Sequence, residues 1–184
     1  MMGLIQKVLC DLIESAGGKP ALEAVLERAG VPLDRAFRIN ENYDDAEWRR
    51  LLDAACEVLE VSRERAMQLY AERFLADARA RFPTWFELSR SAREFLQRQP
   101  AIHNGFYTGL SDAEVRAALR DKFQVEKREN GLITRYRSPN QLCGLYEELA
   151  RSVLRHYDEE ATIEHRQCIQ RGDPECEIRI TWED

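Results

Sequence analysis

The spacing of apolar residues changes along the chain, and this change limits the folds open to it. Through about the first hundred residues, apolar side chains recur every three or four positions, which is typical of amphipathic helices. After Pro100, one more helical stretch is predicted from Ser111 through Leu119. Beyond it the apolar residues alternate with polar ones, which is typical of half-buried strands. A helical part is therefore followed by a part that contains a sheet.

Five helices are predicted before Pro100, each bounded by a capping residue, a glycine or a proline. In chain order they run from Leu4 to a stop at Gly17-Gly18, from Pro20 to Gly30, from Asp44 or Asp45 through Val58, from Ser62 to about Phe82, and from Thr84 toward Pro100. His103 follows on a short segment outside these helices.

Two hairpins with one helix between them are predicted in the last third of the chain. The first turns at Glu129-Asn130-Gly131 and the second at Gly172-Asp173-Pro174. A helix of about 18 residues, starting at Pro139, separates them. The fold class is therefore α+β. A helical N-terminal subdomain, residues 1–62, packs on a mixed subdomain, residues 63–184, with a small antiparallel ββαββ sheet and a long helix, and the two form a single domain.

Composition and motifs exclude several classes of function. The 184 residues include 27 basic and 33 acidic ones, and a net charge of −6 argues against nucleic acid as a partner. No apolar run approaches the ~18 residues of a membrane span, and the segment MMGLIQKVLC does not have the pattern of a signal peptide, so we expect a cytoplasmic protein without membrane insertion. No G-x-S-x-G, HExxH or glycine-rich phosphate loop occurs, so we do not expect an enzyme.

Four residues of the C-terminal part have the side chains of a zinc site: Cys143, His165, Cys168 and Cys176. Three thiols and an imidazole are a preferred tetrahedral set for Zn²⁺, and a closed set of four predicts a structural role. His165 and Cys168 are three apart, so a bulge or a strand end near Gln167 is required to bring them together. The alternative interpretation is buried free thiols and a surface histidine.

The other two of the five cysteines, Cys10 and Cys56, lie on apolar helix faces and are predicted core residues. An odd number of cysteines in a chain without an export signal argues against a disulfide framework.

Four segments resemble the heme nitric oxide/oxygen-binding family, H-NOX: MMGLIQKVLCDLIE, SAREFLQRQPAIH, YRSPNQLC and IEHRQCIQRGDPECEIRITW. The resemblance covers nearly the whole chain. It implies a helical and a mixed subdomain with heme b between them, the heme iron held by His103, and a Tyr-x-Ser-x-Arg motif that binds the propionates. A subset of the family also carries the zinc set with the spacing seen here.

The propionate motif departs from the family pattern at its last position, because it reads Tyr136-Arg137-Ser138-Pro139-Asn140. An arginine fork makes two charge-assisted bonds to a carboxylate, whereas the neutral amide of Asn140 makes at most a single good one. Arg135 and Arg137 lie on the strand face opposite Tyr136 by alternation. The resemblance therefore implies a heme site with a weakened anchor.

The distal side of the heme pocket is implied by the same resemblance to be apolar. Its residues are Ile5, Leu9, Phe74 and Leu145, and Leu145 stands where oxygen-binding relatives carry a tyrosine. Tyr146 is one residue away, about 100° around the helix. A pocket without a hydrogen-bond donor does not stabilise the charge on bound O₂, so ferrous heme is expected to prefer NO and CO.

Two functions follow from these expectations. The first is a heme-based NO sensor that signals by conformational change to a separate partner, which the resemblance implies is a histidine kinase or a cyclic-di-GMP enzyme. The alternative is a heme-independent zinc and thiol redox sensor or scaffold on the same fold, in which oxidation of the cysteines releases the metal. Heme absorbance and metal content discriminate between them.

Overall fold

The computed structural model describes residues 3–39, 41–105, 123–138 and 141–183. Within these ranges the helices are α1 (Gly3–Ala29), α2 (Asp45–Val58), α3 (Arg63–Arg81), α4 (Pro83–Glu87), α5 (Ala92–Gly105) and α6 (Cys143–His156). The strands are β1 (Phe123–Arg128), β2 (Gly131–Tyr136), β3 (Thr162–Gln167) and β4 (Cys176–Thr181). The α+β class is confirmed. The helix predicted from Ser111 through Leu119 lies outside the described residues.

The chain divides into two compact units, Met1–Asp77 and Ala78–Asp184. Their boundary falls inside α3, later than the boundary after residue 62 that the sequence indicated, because the helix predicted to open the second subdomain contributes most of its length to the first unit. No described helix is long and apolar enough to cross a membrane.

The first unit is built on the packing of α1 against α2. The predicted break in the first helical stretch is present as a kink within α1 at Gly18, whose φ of 73° is a left-handed value that favours glycine. Asp44 caps α2, since its carboxylate accepts a 2.9 Å hydrogen bond from the Ala46 amide. Trp48 and Leu51 on α2 are fully buried.

In the second unit, the single helix predicted from Thr84 toward Pro100 is wrong. α4 ends at Glu87, and α5 starts at Ala92, where the Ser91 hydroxyl accepts a hydrogen bond from the Glu94 amide as a helix cap does. α5 then runs through Pro100 to Gly105, so His103 lies in its last turn. Proline usually ends a helix at a cost of about 3 kcal/mol, and here the packing of α5 against β1 and α6 maintains the helix beyond it.

The sheet of the second unit has the order β1-β2-β4-β3, with all neighbours antiparallel. Both predicted hairpins are confirmed, and Leu132, Thr134 and Tyr136 share the buried face of β2. The helix predicted from Pro139 is shorter than expected, because Gln141 has a φ of 53° and α6 begins only at Cys143.

Candidate functional site

The structure brings the four predicted zinc ligands together in the second unit. One ligand atom from each of Cys143, His165, Cys168 and Cys176 lies within 4.8 Å of every other. The three cysteines are buried and the histidine is half-buried. Cys143 is the first residue of α6, Cys176 is the first residue of β4, and His165 lies on β3, so one helix and the second hairpin contribute to the cluster.

The backbone irregularity that the sequence required near Gln167 is present. The register between β3 and β4 shifts between His165 and Gln167, which is the mark of a β-bulge. In a regular strand, His165 and Cys168 would point to opposite faces. The bulge brings them to the same side, because an extra residue in a strand redirects the side chains that follow it. The strand then ends, and Cys168 precedes a 3₁₀ turn formed by Ile169–Arg171.

Hydrogen bonds hold the cysteines in this arrangement. The Ile169 amide donates to Cys176 Sγ at 3.3 Å, and the Cys168 amide donates to the Asp173 carboxylate at 2.7 Å. Cys143 Sγ and Cys168 Sγ are 3.6 Å apart. Zinc bonds of about 2.3 Å to sulfur and about 2.0 Å to nitrogen place tetrahedral ligand atoms roughly 3.5 to 3.8 Å apart. The Cys143–Cys168 pair has this spacing, and the full set, within 4.8 Å, is close to it.

Burial shapes the thiol chemistry of the cluster. It raises the pKa of the Cys143 thiol, and the hydrogen bond with Cys168 raises it further. Burial also raises the pKa of the Cys176 thiol, although the hydrogen bond from the Ile169 amide lowers it. Thiols in such surroundings stay protonated unless a cation favours the thiolate, which a bound metal ion does.

The imidazole of His165 has two different nitrogens. Nδ1 lies 2.5 Å from Glu147 Oε1, whereas Nε2 is buried with no hydrogen-bond partner among the residues that the structure describes. A buried nitrogen without a partner is costly unless something binds it. Together with the soft sulfur donors, this nitrogen makes the cluster a good fit for Zn²⁺.

The predicted iron ligand, His103, is half-buried at the end of α5. Its ring meets the ring of Phe123 on β1 edge to face, with centroids 4.8 Å apart. Phe123 also stacks on Tyr136 at 4.9 Å and lies 5.5 Å from Tyr146. Sequence reasoning did not assign Phe123 to the site, although its position on the apolar side of β1 was a usable signal.

The two hydroxyls of the predicted propionate motif are buried in the second unit. Tyr136 and Ser138 are 4% and 2% exposed, and they are hydrogen-bonded to each other. Burial raises the pKa of Tyr136 to about 12, although the bonds with Ser138 and the Leu142 backbone lower it. Tyr136 packs in one cluster with the three cysteines of the metal set. Asn140 lies outside the described residues.

The arginines on either side of Tyr136 are engaged elsewhere, on the opposite strand face as predicted. Arg135 lies 3.3 Å from Glu126, 3.3 Å from Glu177 and 3.6 Å from Glu175. Arg137 lies 3.0 Å from Glu175. Neither guanidinium therefore replaces the arginine that the motif lacks.

Three of the four predicted distal residues belong to the first unit. Leu9 is buried and Ile5 is half-buried on α1. Phe74 stacks on Tyr70 with centroids 6.0 Å apart, and the Tyr70 hydroxyl donates to the Ile5 carbonyl at 3.1 Å.

The fourth distal residue, Leu145, is buried on α6 of the second unit. Next to it, the hydroxyl of Tyr146 is 2.7 Å from the hydroxyl of Thr134 on β2, and both residues are buried. Tyr146 is therefore engaged with the sheet of its own unit.

Comparison with known protein families establishes the family to which this chain belongs. The model of the Haem-NO-binding family matches residues 2–165. The chain belongs to this family. H-NOX domains are sensor domains rather than enzymes. A search of curated proteins found no match.

Solved structures of H-NOX proteins share the fold. An H-NOX protein from S. oneidensis in the Fe(II)NO state is 19% identical with a TM-score of 0.79, and the match covers 100% of both chains. A Cs H-NOX mutant with an unnatural amino acid is 17% identical with a TM-score of 0.83, covering 100% of this chain and 97% of the other. An oxygen-binding H-NOX domain related to soluble guanylate cyclases, in its oxygen complex, is 17% identical with a TM-score of 0.77, covering 100% and 96%.

The residues of this H-NOX chain fit a heme by the chemistry of their donors. His103 offers an imidazole, the commonest protein ligand of heme iron. Tyr136 and Ser138 offer hydroxyl donors for carboxylates. Neither Arg135 nor Arg137 supplies the charge of the arginine that the motif lacks, because each pairs with a glutamate.

Proposed function

We propose that this chain is a heme-based sensor of NO that passes its state by conformational change to a separate partner protein. The observation that carries the proposal is the position of His103. It lies in the last turn of α5, within the segment that matches the Haem-NO-binding family, and its ring is held against Phe123. When bound, heme would supply a ferrous iron that takes diatomic gases.

The preference among gaseous ligands follows from the side chains at the predicted distal positions and from their neighbour Tyr146. Ile5, Leu9, Phe74 and Leu145 are apolar, and the hydroxyl of Tyr146 is engaged with Thr134. Bound O₂ carries partial negative charge and needs a hydrogen-bond donor, whereas NO and CO do not. We therefore infer that the sensor responds to NO and also binds CO.

The anchor of the propionates is expected to be weaker than in an arginine-containing relative. Tyr136, Ser138 and Asn140 offer neutral donors, and neutral hydrogen bonds are about half as strong as charge-assisted ones. Heme should therefore be retained mainly through the bond to His103 and through apolar contact.

The route of the signal begins at α5. A displacement of the His103 side chain acts on the last turn of this helix, which packs against β1 and α6 in its own unit. The partner that reads the change is proposed, from the family resemblance, to be a histidine kinase or a cyclic-di-GMP enzyme.

Substitution of His103 tests the heme assignment. His103→Gly, expressed with ample heme, should lose heme or retain it only with added imidazole, because the iron would have no protein ligand. His156→Gly is the matched control, since it removes an imidazole without a predicted role in heme binding. The measurement is the Soret band of the purified protein. An unchanged Soret band in His103→Gly would show that another group holds the iron.

We also propose that Cys143, His165, Cys168 and Cys176 bind one Zn²⁺ ion with a structural role. Metal analysis of reduced protein should find about one equivalent of zinc, and structural zinc sites contribute on the order of 10 kcal/mol to folding in small domains. Cys176→Ser should lose the metal and destabilise the sheet, whereas Cys10→Ser should keep it. No zinc in freshly reduced wild-type protein would refute the assignment.

A heme-independent redox sensor is the second candidate function, and it rests on the 3.6 Å separation of Cys143 Sγ and Cys168 Sγ. Hydrogen peroxide would take two electrons from these two zinc-bound thiolates and join them in a disulfide, two protons from solvent would complete the two water molecules formed from the peroxide, and zinc would be released. Peroxide should then release zinc reversibly from a protein that contains no heme. Full zinc retention under peroxide would exclude this candidate.

A further inference from the structure

The contact between Glu147 and His165 is not required by the ligand set itself. Glu147 Oε1 lies 2.5 Å from Nδ1 of His165, and the two side chains are only 20% and 15% exposed. The structure gives Glu147 no second ion pair or hydrogen bond in the part of the chain that it describes. Among the described residues, the Glu147 carboxylate therefore contacts only the His165 imidazole as a hydrogen-bond or ion-pair partner.

A neutral imidazole carries one hydrogen, and its neighbours determine which nitrogen holds it. A carboxylate accepts but does not donate, so Glu147 stabilises the form of His165 with hydrogen on Nδ1. The lone pair is then on Nε2, the buried nitrogen without a hydrogen-bond partner among the described residues. This is the form of histidine that can bind a metal through Nε2.

The position of Glu147 in the fold supports the same conclusion. It follows Cys143 by four residues on α6, so the two lie on one face of the helix, one turn apart. The first turns of α6 thus provide one thiol directly and orient the imidazole of β3. The Arg171 guanidinium donates to the His165 backbone carbonyl at 3.0 Å, next to the bulge.

We propose that Glu147 is the positioning residue of the metal site: it fixes the Nδ1–H form of His165 and directs Nε2 toward the three thiols. This inference rests on the proposal that the cluster binds Zn²⁺. Partners of this kind typically change metal affinity by roughly 10- to 100-fold when they are removed.

The first experiment measures zinc affinity by competition with a chromophoric chelator, using the reduced full chain. Glu147→Ala should weaken zinc binding by roughly 10- to 100-fold, and Glu147→Gln should weaken it less, because its amide oxygen still accepts from Nδ1–H. Glu148→Ala is the matched control, since Glu148 is the neighbouring carboxylate, pairs with Arg151 and has the same 20% exposure. Unchanged zinc affinity in Glu147→Ala would overturn the proposal.

The second experiment observes the His165 imidazole directly in the zinc-loaded protein. ¹H–¹⁵N NMR should show hydrogen on Nδ1 in the wild type and in Glu148→Ala, with its proton signal shifted downfield by the hydrogen bond to the Glu147 carboxylate, and this signal should move upfield or broaden in Glu147→Ala. The same signal in all three would overturn the proposal. If the wild-type protein takes up no zinc, the metal site itself is refuted. If the wild type binds zinc and Glu147→Ala binds it equally well, only the role of Glu147 is refuted.

Discussion

The hydroxyl pair of Thr134 and Tyr146 gives a sharp test of how β2 and α6 are joined. The two oxygens are 2.7 Å apart, and the residues are 0% and 2% exposed. Tyr146→Phe removes one oxygen with almost no change in shape, and it leaves the Thr134 hydroxyl buried without this partner. Thr134→Val does the converse.

The expected magnitude follows from the burial of both groups. Leaving a buried polar group unsatisfied costs about 1 to 3 kcal/mol, whereas replacing both partners by apolar groups of the same shape is nearly neutral. For a chain of this length each kcal/mol corresponds to roughly 2 to 4 °C in Tm. Either single variant should therefore melt several degrees lower, and the double variant should recover most of the loss.

Urea denaturation of the four proteins, followed by circular dichroism, measures the coupling in a double-mutant cycle. The hydrogen bond between Tyr146 and Thr134 should stabilise the fold up to high pH, because the Tyr146 hydroxyl stays protonated. Burial raises its pKa to about 12, although the bond with Thr134 lowers it. Stability should then fall as the pH rises from about 10 toward 12. Additive effects of the two substitutions would refute the reasoning, as would a single variant as stable as the wild type.

Three further predictions concern other parts of the second unit. Gly131→Ala should lower the urea midpoint, because a Cβ at this position would lie 2.4 Å from the Ile180 carbonyl oxygen; an unchanged midpoint would contradict the close approach of β2 to β4. His156→Gln should reduce the loss of stability below about pH 6.5, because burial and Arg79 lower the pKa of His156 and the unfolded chain therefore takes up the proton first. Equal pH dependence in both proteins would count against it. Asn140→Arg should slow heme transfer to apomyoglobin by adding a charge-assisted anchor; an unchanged rate would mean that another group already neutralises the propionates.

Local signals in the sequence were sufficient for the hairpins and for the grouping of the metal ligands. The turn residues around Gly131 and Gly172 determine where the strands reverse, and turn chemistry acts over a few residues. The bulge near Gln167 was also predictable, because ligand spacing and strand alternation conflict there.

Other features depend on contacts that no local pattern contains. Pro100 indicated a helix end, yet the packing of α5 on β1 and α6 extends the helix past it. The start of α6 was placed too early, because the positive φ of Gln141 has no clear signature in its neighbours. Glu147 was missed among 33 acidic residues, although its spacing of one turn from Cys143 was a usable signal.

The first turns of α6 also restrict how the length of this chain can vary. Cys143 faces the other thiols, Tyr146 meets Thr134, and Glu147 meets His165, all on the side of the helix that faces the sheet. One residue inserted between Cys143 and Glu147 would rotate the remainder of α6 by about 100° and would separate at least one of these contacts. Functional variants of the chain should therefore keep the length of this segment constant, and changes in length should fall in connections such as the one between α1 and α2.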